Sequence, residues 1–247
     1  MEIERTYRAL HRQKDLVHFQ VSLRETDLDI GIRASRYTPT TKTWCNTLLY
    51  NCRGVLEEYI QRDPGFAKSL IPYTPFPDAP KIIQVMAKAG ELAGVGPMAA
   101  VAGAIASEMG LALLKHSRDV IVENGGDIYI RSNVIRRIGI FAGKSLLSYR
   151  LALEIAPEQT PLGICTSSGT VGHSLSYGCA DAVVVLSTNT ALADAVATAT
   201  GNQIKDSTDL ETAVHFATAI PGVLGALVIL GDKLAVKGQI KLAPMST

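Results

Sequence analysis

The sequence is poor in charge over the one stretch that is densest in glycine and hydroxyl residues. Of its 247 residues 19% are charged, yet between Gln159 and Ile204 only Asp181 and Asp194 carry formal charge, with His173 as a third titratable group. Over the whole chain 24 basic residues stand against 23 acidic ones, a net charge of +1. That balance gives no electrostatic reason to expect nucleic acid or an anionic membrane as a partner. Cysteine is scarce. The four (Cys45, Cys52, Cys165, Cys179) show no Cys-x-x-Cys spacing, so they read as reduced thiols of a cytoplasmic protein rather than a zinc or disulfide framework. Long apolar runs are missing too. The longest uncharged one, near residues 94–107, is too short and too broken by glycine and proline to span a bilayer. Residues 1–10 hold no apolar signal core. A cytoplasmic location without membrane contact is the expectation.

What is present is enough apolar material for a real core: 47% hydrophobic residues and a mean hydropathy of +0.18. Residues 17–32 alternate, with Phe19, Val21 and Leu23 on one face and Leu28, Ile30 and Ile32 after a break at Glu25-Thr26-Asp27. They read as a strand pair with a solvated corner, and residues 6–10 as a further partner. Residues 41–62 predict an amphipathic helix packed through Trp44, Leu48, Val55, Leu56 and Tyr59, stopped at Asp63-Pro64-Gly65. Residues 70–80 hold four prolines and read as a stiff connector. Helices are expected over 81–92 and again after Gly94, with Pro97 in the first turn. The match of GVGPMA to the dinucleotide pattern is set aside, because a helix and not a strand precedes it. Free N–H groups at such an opening suit a phosphate. The small residues Ala99, Gly103 and Ser107, four apart, suit close approach of another backbone. Strands follow at 119–141, around an Asn-Gly-Gly-Asp turn, and at 146–156. A helix over 209–218 and strands at 225–230 and 233–238 close the chain. Strands and helices in mixed blocks predict an α+β fold with a mostly antiparallel sheet in one domain, 1–247. Within it lie N-terminal strands and helix (1–70), the connector (70–80), a ligand-site core (81–205) and C-terminal elements (206–247).

The stretch from Thr160 to Asn202 organises the rest. Its first half is crowded with Gly, Ser and Thr; the apolar run Ala182–Leu186 follows; then comes a helix that Asn189 or Thr190 caps and Gly201-Asn202 ends. Asp194 and Thr198 are four apart, on one helical face. A carboxylate and a hydroxyl so placed suit a hard cation such as Mg²⁺; an acid near a helix N-terminus is also explained by the helix dipole alone. His173, in a Gly/Ser-rich loop, is a candidate general base, or else a hydrogen-bonded surface residue.

Three segments, in order, resemble the ApbE-like flavin transferases (FAD:protein FMN transferases). They are GVGPMAAVA at 94–102; ENGGDIYI at 123–130 with the later IGIF; and TSSG at 166–169, joined by ADAVAT at 193–198. The resemblance covers roughly residues 90–202. It implies an ApbE-like, T-fold-related architecture and Mg²⁺ held by Asp194 and Thr198, with the Gly96 carbonyl beside them. It also implies a pocket for FAD or FMN lined by Gly94, Gly96, Asn124, Gly125, Gly126, Asp127, Thr166, Ser167, Ser168 and Gly169. His173 stands in for the family's functional histidine. Pro97 occupies the place of the family's Lys, Ala102 that of its Asp, and the His-x-x-Asp-Pro-x-Thr-Gly segment is missing. The chain therefore resembles a short, divergent branch of that family. The implied activity is a Mg²⁺-dependent flavin transferase or FAD pyrophosphatase. The alternatives are a non-catalytic flavin or nucleotide module, or a Mg²⁺-dependent enzyme on another phosphorylated metabolite. The helices rich in small residues suit a homodimer, with no interface indicated.

Overall fold

Alternation along the strands decides the layering. In the run Ala182–Leu186, Val183 and Val185 face one apolar cluster while Ala182, Val184 and Leu186 face a second. A strand buried on both faces needs no polar residue on either, which is why this run is continuously apolar. The computed structural model describes Arg8 and residues 13–169 and 178–245. Its centre is an eight-stranded antiparallel sheet in the order β1-β2-β3-β4-β7-β8-β9-β10. These strands are β1 (Leu16–Leu23), β2 (Thr26–Arg33), β3 (Val120–Asn124), β4 (Asp127–Arg131), β7 (Leu162–Ser167), β8 (Ala182–Ser187), β9 (Val223–Leu230) and β10 (Lys233–Gly238). A second sheet, β5 (Arg136–Gly139), β6 (Leu151–Ile155) and β11 (Leu242–Pro244), covers one face in the order β11-β6-β5.

The helices cover the other face. They are α1 (Pro39–Arg62), α2 (Pro64–Lys68), α3 (Lys81–Ala93), α4 (Val101–Leu113), α5 (Thr190–Gly201) and α6 (Leu210–Ala219). Helix α5 is the innermost, buried along almost its whole length between strands β7 and β8 and helices α3 and α4. Asn189 caps its start, its side chain accepting from the Leu192 N–H at 3.2 Å. Helix α3 ends at Gly94, which adopts φ +75° as a left-handed cap. The chain then turns by 106° into the 3-10 segment Pro97–Ala100 and α4. Among the described residues no single helix is long and apolar enough to cross a membrane.

The α+β class and the antiparallel sheet match the expectation, and four details differ from it. Ile138 does not extend the main sheet; it lies in the second one, because the chain leaves the first layer after β4 to cover its back. Residues 162–167, given no element from the sequence, form strand β7, whose Leu162 and Ile164 face that second sheet. Val55 is 39% exposed, and Cys45 and Leu49 take the buried stripe of α1 instead. The corner at 25–27 is shorter than expected: the exposed turn is Arg24-Glu25, while Thr26 and Asp27 start β2 and Thr26 is buried. The residues expected as a strand at 6–10 lie outside the described residues except Arg8, which is helical.

Candidate functional site at the Gly-Gly hairpin

The turn between β3 and β4 is a two-residue hairpin in which Asn124 pairs with Asp127. Gly125 and Gly126 both have positive φ, +68° and +109°. A turn of this kind requires φ > 0 at both central positions, which glycine adopts without strain. Two side chains of the hairpin anchor it. Asn124 Nδ2 donates to the Ala102 carbonyl at 3.1 Å, tying the turn to the start of α4. Glu123 Oε1 accepts from the Gly126 N–H at 2.8 Å. Among the described residues nothing lies within 4 Å of a side chain added at Gly125, and Gly125 itself is exposed.

Asp194 reaches the same place from α5. Its Oδ2 accepts from the Gly103 N–H of α4 at 2.8 Å. The carboxylate thus caps α4 from a neighbouring helix and uses a donor that an unoccupied helix opening would offer to phosphate. The contact is possible because Gly103 has no side chain: a Cβ there would lie 2.5 Å from the Thr190 carbonyl and 2.9 Å from Asp194 Cβ. The expected close approach along Ala99, Gly103 and Ser107 is realised at Gly103.

Asp127 and Asp194 are both buried, 8% and 9% exposed. Burial pushes Asp127 up to about 7, with the Glu123 charge adding to the rise and the Cys165 thiol and Thr166 N–H opposing it. Burial, then the Asp127 charge, raises Asp194 well above the ordinary carboxylate range, against the N–H groups of Gly103 and Ala102. Neither shift has a lysine or arginine among its causes. Beneath them lies Cys165, fully buried, its thiol donating to the Thr190 carbonyl at 3.3 Å. Burial and both carboxylates push that thiol far up, so it is no nucleophile. Burial likewise raises Cys45 to about 12 and Cys52 to about 11.

The remaining expected residues divide by position. Thr166 and Ser167 end β7 beside Gly126, whose added Cβ would lie 3.7 Å from the Thr166 carbonyl. The Ser168 hydroxyl and the Gly169 N–H donate to the Ala180 carbonyl, at 3.5 and 2.9 Å. Thr198 lies one turn beyond Asp194 on α5, half-buried. Gly94 and Gly96 have structural duties: Gly94 caps α3, and a Cβ at Gly96 would lie 1.8 Å from the carbonyl of Ser69, which ends α2 just before the proline-rich connector. The Gly96 carbonyl already accepts from the Ala99 N–H at 3.2 Å. His173 falls outside the described residues. Sequence reasoning missed Glu123 and Arg8. The Arg8 guanidinium donates to Glu123 Oε2 at 2.5 Å, to Asp27 Oδ2 at 2.8 Å and to the Asp27 carbonyl at 2.7 Å. A separation of 115 residues between Arg8 and Glu123 leaves no local pattern to read.

The model of the family described as AbpE bacteria matches residues 8–236. The chain belongs to that family. A UPF0280 protein of Methanocella arvoryzae is 45% identical over 222 residues, 88% of this chain and 87% of that one. A second, from Methanothrix thermoacetophila, is 42% identical over 220 residues, 88% and 90% of the two chains. Among solved structures the fold is that of the flavinyl transferase ApbE of Pseudomonas stutzeri in its apo form. The TM-score is 0.61 at 14% identity, over 90% of this chain and 94% of that one. The flavin transferase ApbE of Vibrio cholerae gives a TM-score of 0.53 at 16% identity, over 90% and 96%. At such identities the likeness establishes the fold and leaves the chemistry to be argued from the site.

Proposed function

We propose that this protein binds a flavin nucleotide together with Mg²⁺ at the Gly-Gly hairpin and cleaves or transfers it, as an FAD pyrophosphatase or a flavin transferase. One observation carries the reading: two buried carboxylates, Asp127 and Asp194, interact at the turn, and among the described residues no lysine or arginine contributes to holding either one charged. Burying such a pair is costly unless a cation joins it or a proton stays on one of them. The donor set suits a hard divalent cation that keeps several positions for water and phosphate oxygens, since Mg²⁺ needs only one or two carboxylates from a protein. Among the described residues no cluster of three His, Cys, Asp or Glu forms, so the two carboxylates would need hydroxyl, water and phosphate oxygens to complete the ion's shell. Asp194 would hold the ion with Asp127 opposite, and the Thr198 hydroxyl would complete the α5 side. When bound, Mg²⁺ supplies neutralisation of pyrophosphate charge.

The chain's own residues supply the rest. Gly125 leaves room for a phosphate against the backbone, and the hydroxyls of Thr166, Ser167 and Ser168 line the rim. Asn124 fixes the distance between the turn and α4. The fold of the ApbE transferases supports flavin as the nucleotide. A second reading, a module that holds flavin without turning it over, is favoured by Pro97 and Ala102, which stand where the transferases carry Lys and Asp.

The test is a titration of the purified protein with FAD and Mg²⁺, followed by absorbance and by separation of small-molecule products. Bound flavin with AMP released in a Mg²⁺-dependent way is the expected outcome. Bound flavin without AMP would select the holding module, and no binding would remove flavin from the account. Asp194→Asn should lose the Mg²⁺ response, and a variant as responsive as the parent protein would refute the metal assignment.

A further inference from the structure

We infer that strand β10 and the groove beside it are a docking site for an extended, acidic segment of a partner protein. Among the described residues β10 pairs with β9 alone. Its other side presents backbone donors and acceptors of the kind to which a further strand adds. The strand is exposed along its length except at Ala235, which is half-buried.

Register decides what each face of β10 offers. Lys233, Ala235 and Lys237 stand opposite Leu230, Val228 and Ala226 of β9. Val228 and Ala226 belong to the apolar cluster under the helices, so both lysines lie on the face that α6 covers. Leu234 and Val236 stand opposite Ile229 and Leu227, which belong to the other cluster. Those two β9 residues are fully buried, whereas Leu234 and Val236 keep 38% and 40% exposure. On the helix side the lysines face a groove of about 720 Å³, walled opposite them by Leu210, Val214 and His215 of α6. Lys237 Nζ lies 3.0 Å from His215 Nδ1, and Lys233 Nζ donates to the Ser207 hydroxyl at 2.8 Å. Among the described residues the lysines that form ion pairs are Lys88 and Lys241, so neither of these two is neutralised by contact. Two carboxylates lie near. Glu211 lines the same groove, and the Thr208 hydroxyl and N–H, then the Lys233 charge, hold Asp206 below the ordinary carboxylate value. A strand added to β10 meets the lysines directly across the ladder, where opposite charges attract, and meets Glu211 only across the groove.

The partner's pattern follows from the alternation of side chains along a strand. Acidic residues belong opposite Lys233 and Lys237, and aliphatic ones opposite Leu234 and Val236. The order acidic–aliphatic–any–aliphatic–acidic reads the same in both directions, so it holds for parallel and antiparallel addition alike. In this chain it occurs once, at Asp119–Glu123. Its last four residues lie in β3, which is already paired on both sides with β2 and β4. A second folded copy therefore cannot supply the segment, and its own β10 would set lysine against lysine.

The experiment uses a fluorescein-labelled peptide built on Glu-Val-Thr-Val-Glu, beside one with Lys in place of both Glu. Affinity is read by anisotropy and the place of binding by hydrogen exchange at the β10 amides. The acidic peptide should bind, slow exchange in β10 and weaken with added salt. The lysine peptide should bind at least about tenfold more weakly, since like charges across an interface repel. Lys233→Glu combined with Lys237→Glu should reverse that preference. Equal affinity for the two peptides would overturn the inference, as would no binding, or binding that leaves exchange in β10 unchanged. If the reversed variant fails to fold, Lys237→Gln decides: weaker binding of the acidic peptide supports the site, and equal binding refutes it. If concentrating the parent protein alone slows exchange in β10 and yields larger species, a second copy is the occupant and the inference fails.

Discussion

Asp119 shows how one buried side chain can tie several segments together. It accepts from the Ser132 hydroxyl at 2.9 Å and the Asn133 N–H at 2.7 Å. It pairs with Arg33 and lies 3.6 Å from the Arg136 guanidinium. Burial alone would raise its carboxyl; the Asn133 N–H, Arg33 and Ser132 outweigh burial and hold it below the ordinary value. A carboxylate held low in the folded state stabilises at pH values above about 4 and loses that contribution as pH falls through the folded value. Asp119→Asn should therefore cost about 3 kcal/mol or more in urea unfolding at pH 7, as expected when one partner of a buried charge network is removed. Its deficit should shrink as the parent protein is acidified below pH 4. An equal deficit at pH 3 and pH 7 would count against the ionised role. Of these residue-level features the sequence showed the glycines and carboxylates of the site, because they cluster in short motifs. It did not show Asp119 or Arg8, whose partners lie on distant segments.

Glycines inside helices set a different kind of test, at the scale of elements. Gly54 lies in α1 with nothing among the described residues within 4 Å of an added Cβ, whereas Gly103 lies in α4 against the backbone of α5. Gly54→Ala should raise stability by about 0.5–1 kcal/mol, because the unfolded chain loses freedom and no contact is strained. Gly103→Ala should lower it by about 1–3 kcal/mol, the usual cost of overpacking, and should break the Gly103 to Asp194 bond. Thermal melts of the two single variants separate these outcomes, and shifts of the same sign would contradict the packing described. The elements were largely legible: α1, α3, α6 and the β1–β2 hairpin lie within a few residues of their expected positions. Helices announce themselves by caps and breakers, and hairpins by alternation. Strand β7 was hidden because its Gly, Thr and Ser content looks like loop. Only the two apolar layers around it explain why Leu162 and Ile164 must be extended.

At the scale of the molecule the sheet ends, among the described residues, at β1 and β10. Strand β10 is mostly exposed, with Lys233 and Lys237 at its ends. Charged side chains on an edge discourage pairing with another copy. Replacing both lysines with valine should produce larger species in size-exclusion chromatography, and an unchanged elution would mean that something else guards this edge. The layered architecture could not be read in advance. Residues 136–155 alternate as strands in the sequence, and nothing local says that they turn away to build a second sheet rather than extending the first.

The order of strands has a consequence for how the protein is made. Apart from the three that form the second sheet, neighbours in space follow one another along the chain. During synthesis each newly emerged strand can therefore add to the last edge of a growing sheet, without being threaded between strands already paired. The grip of Arg8 is the exception. Its partner Glu123 follows 115 residues later in the chain, so this one contact closes only after β3 has emerged.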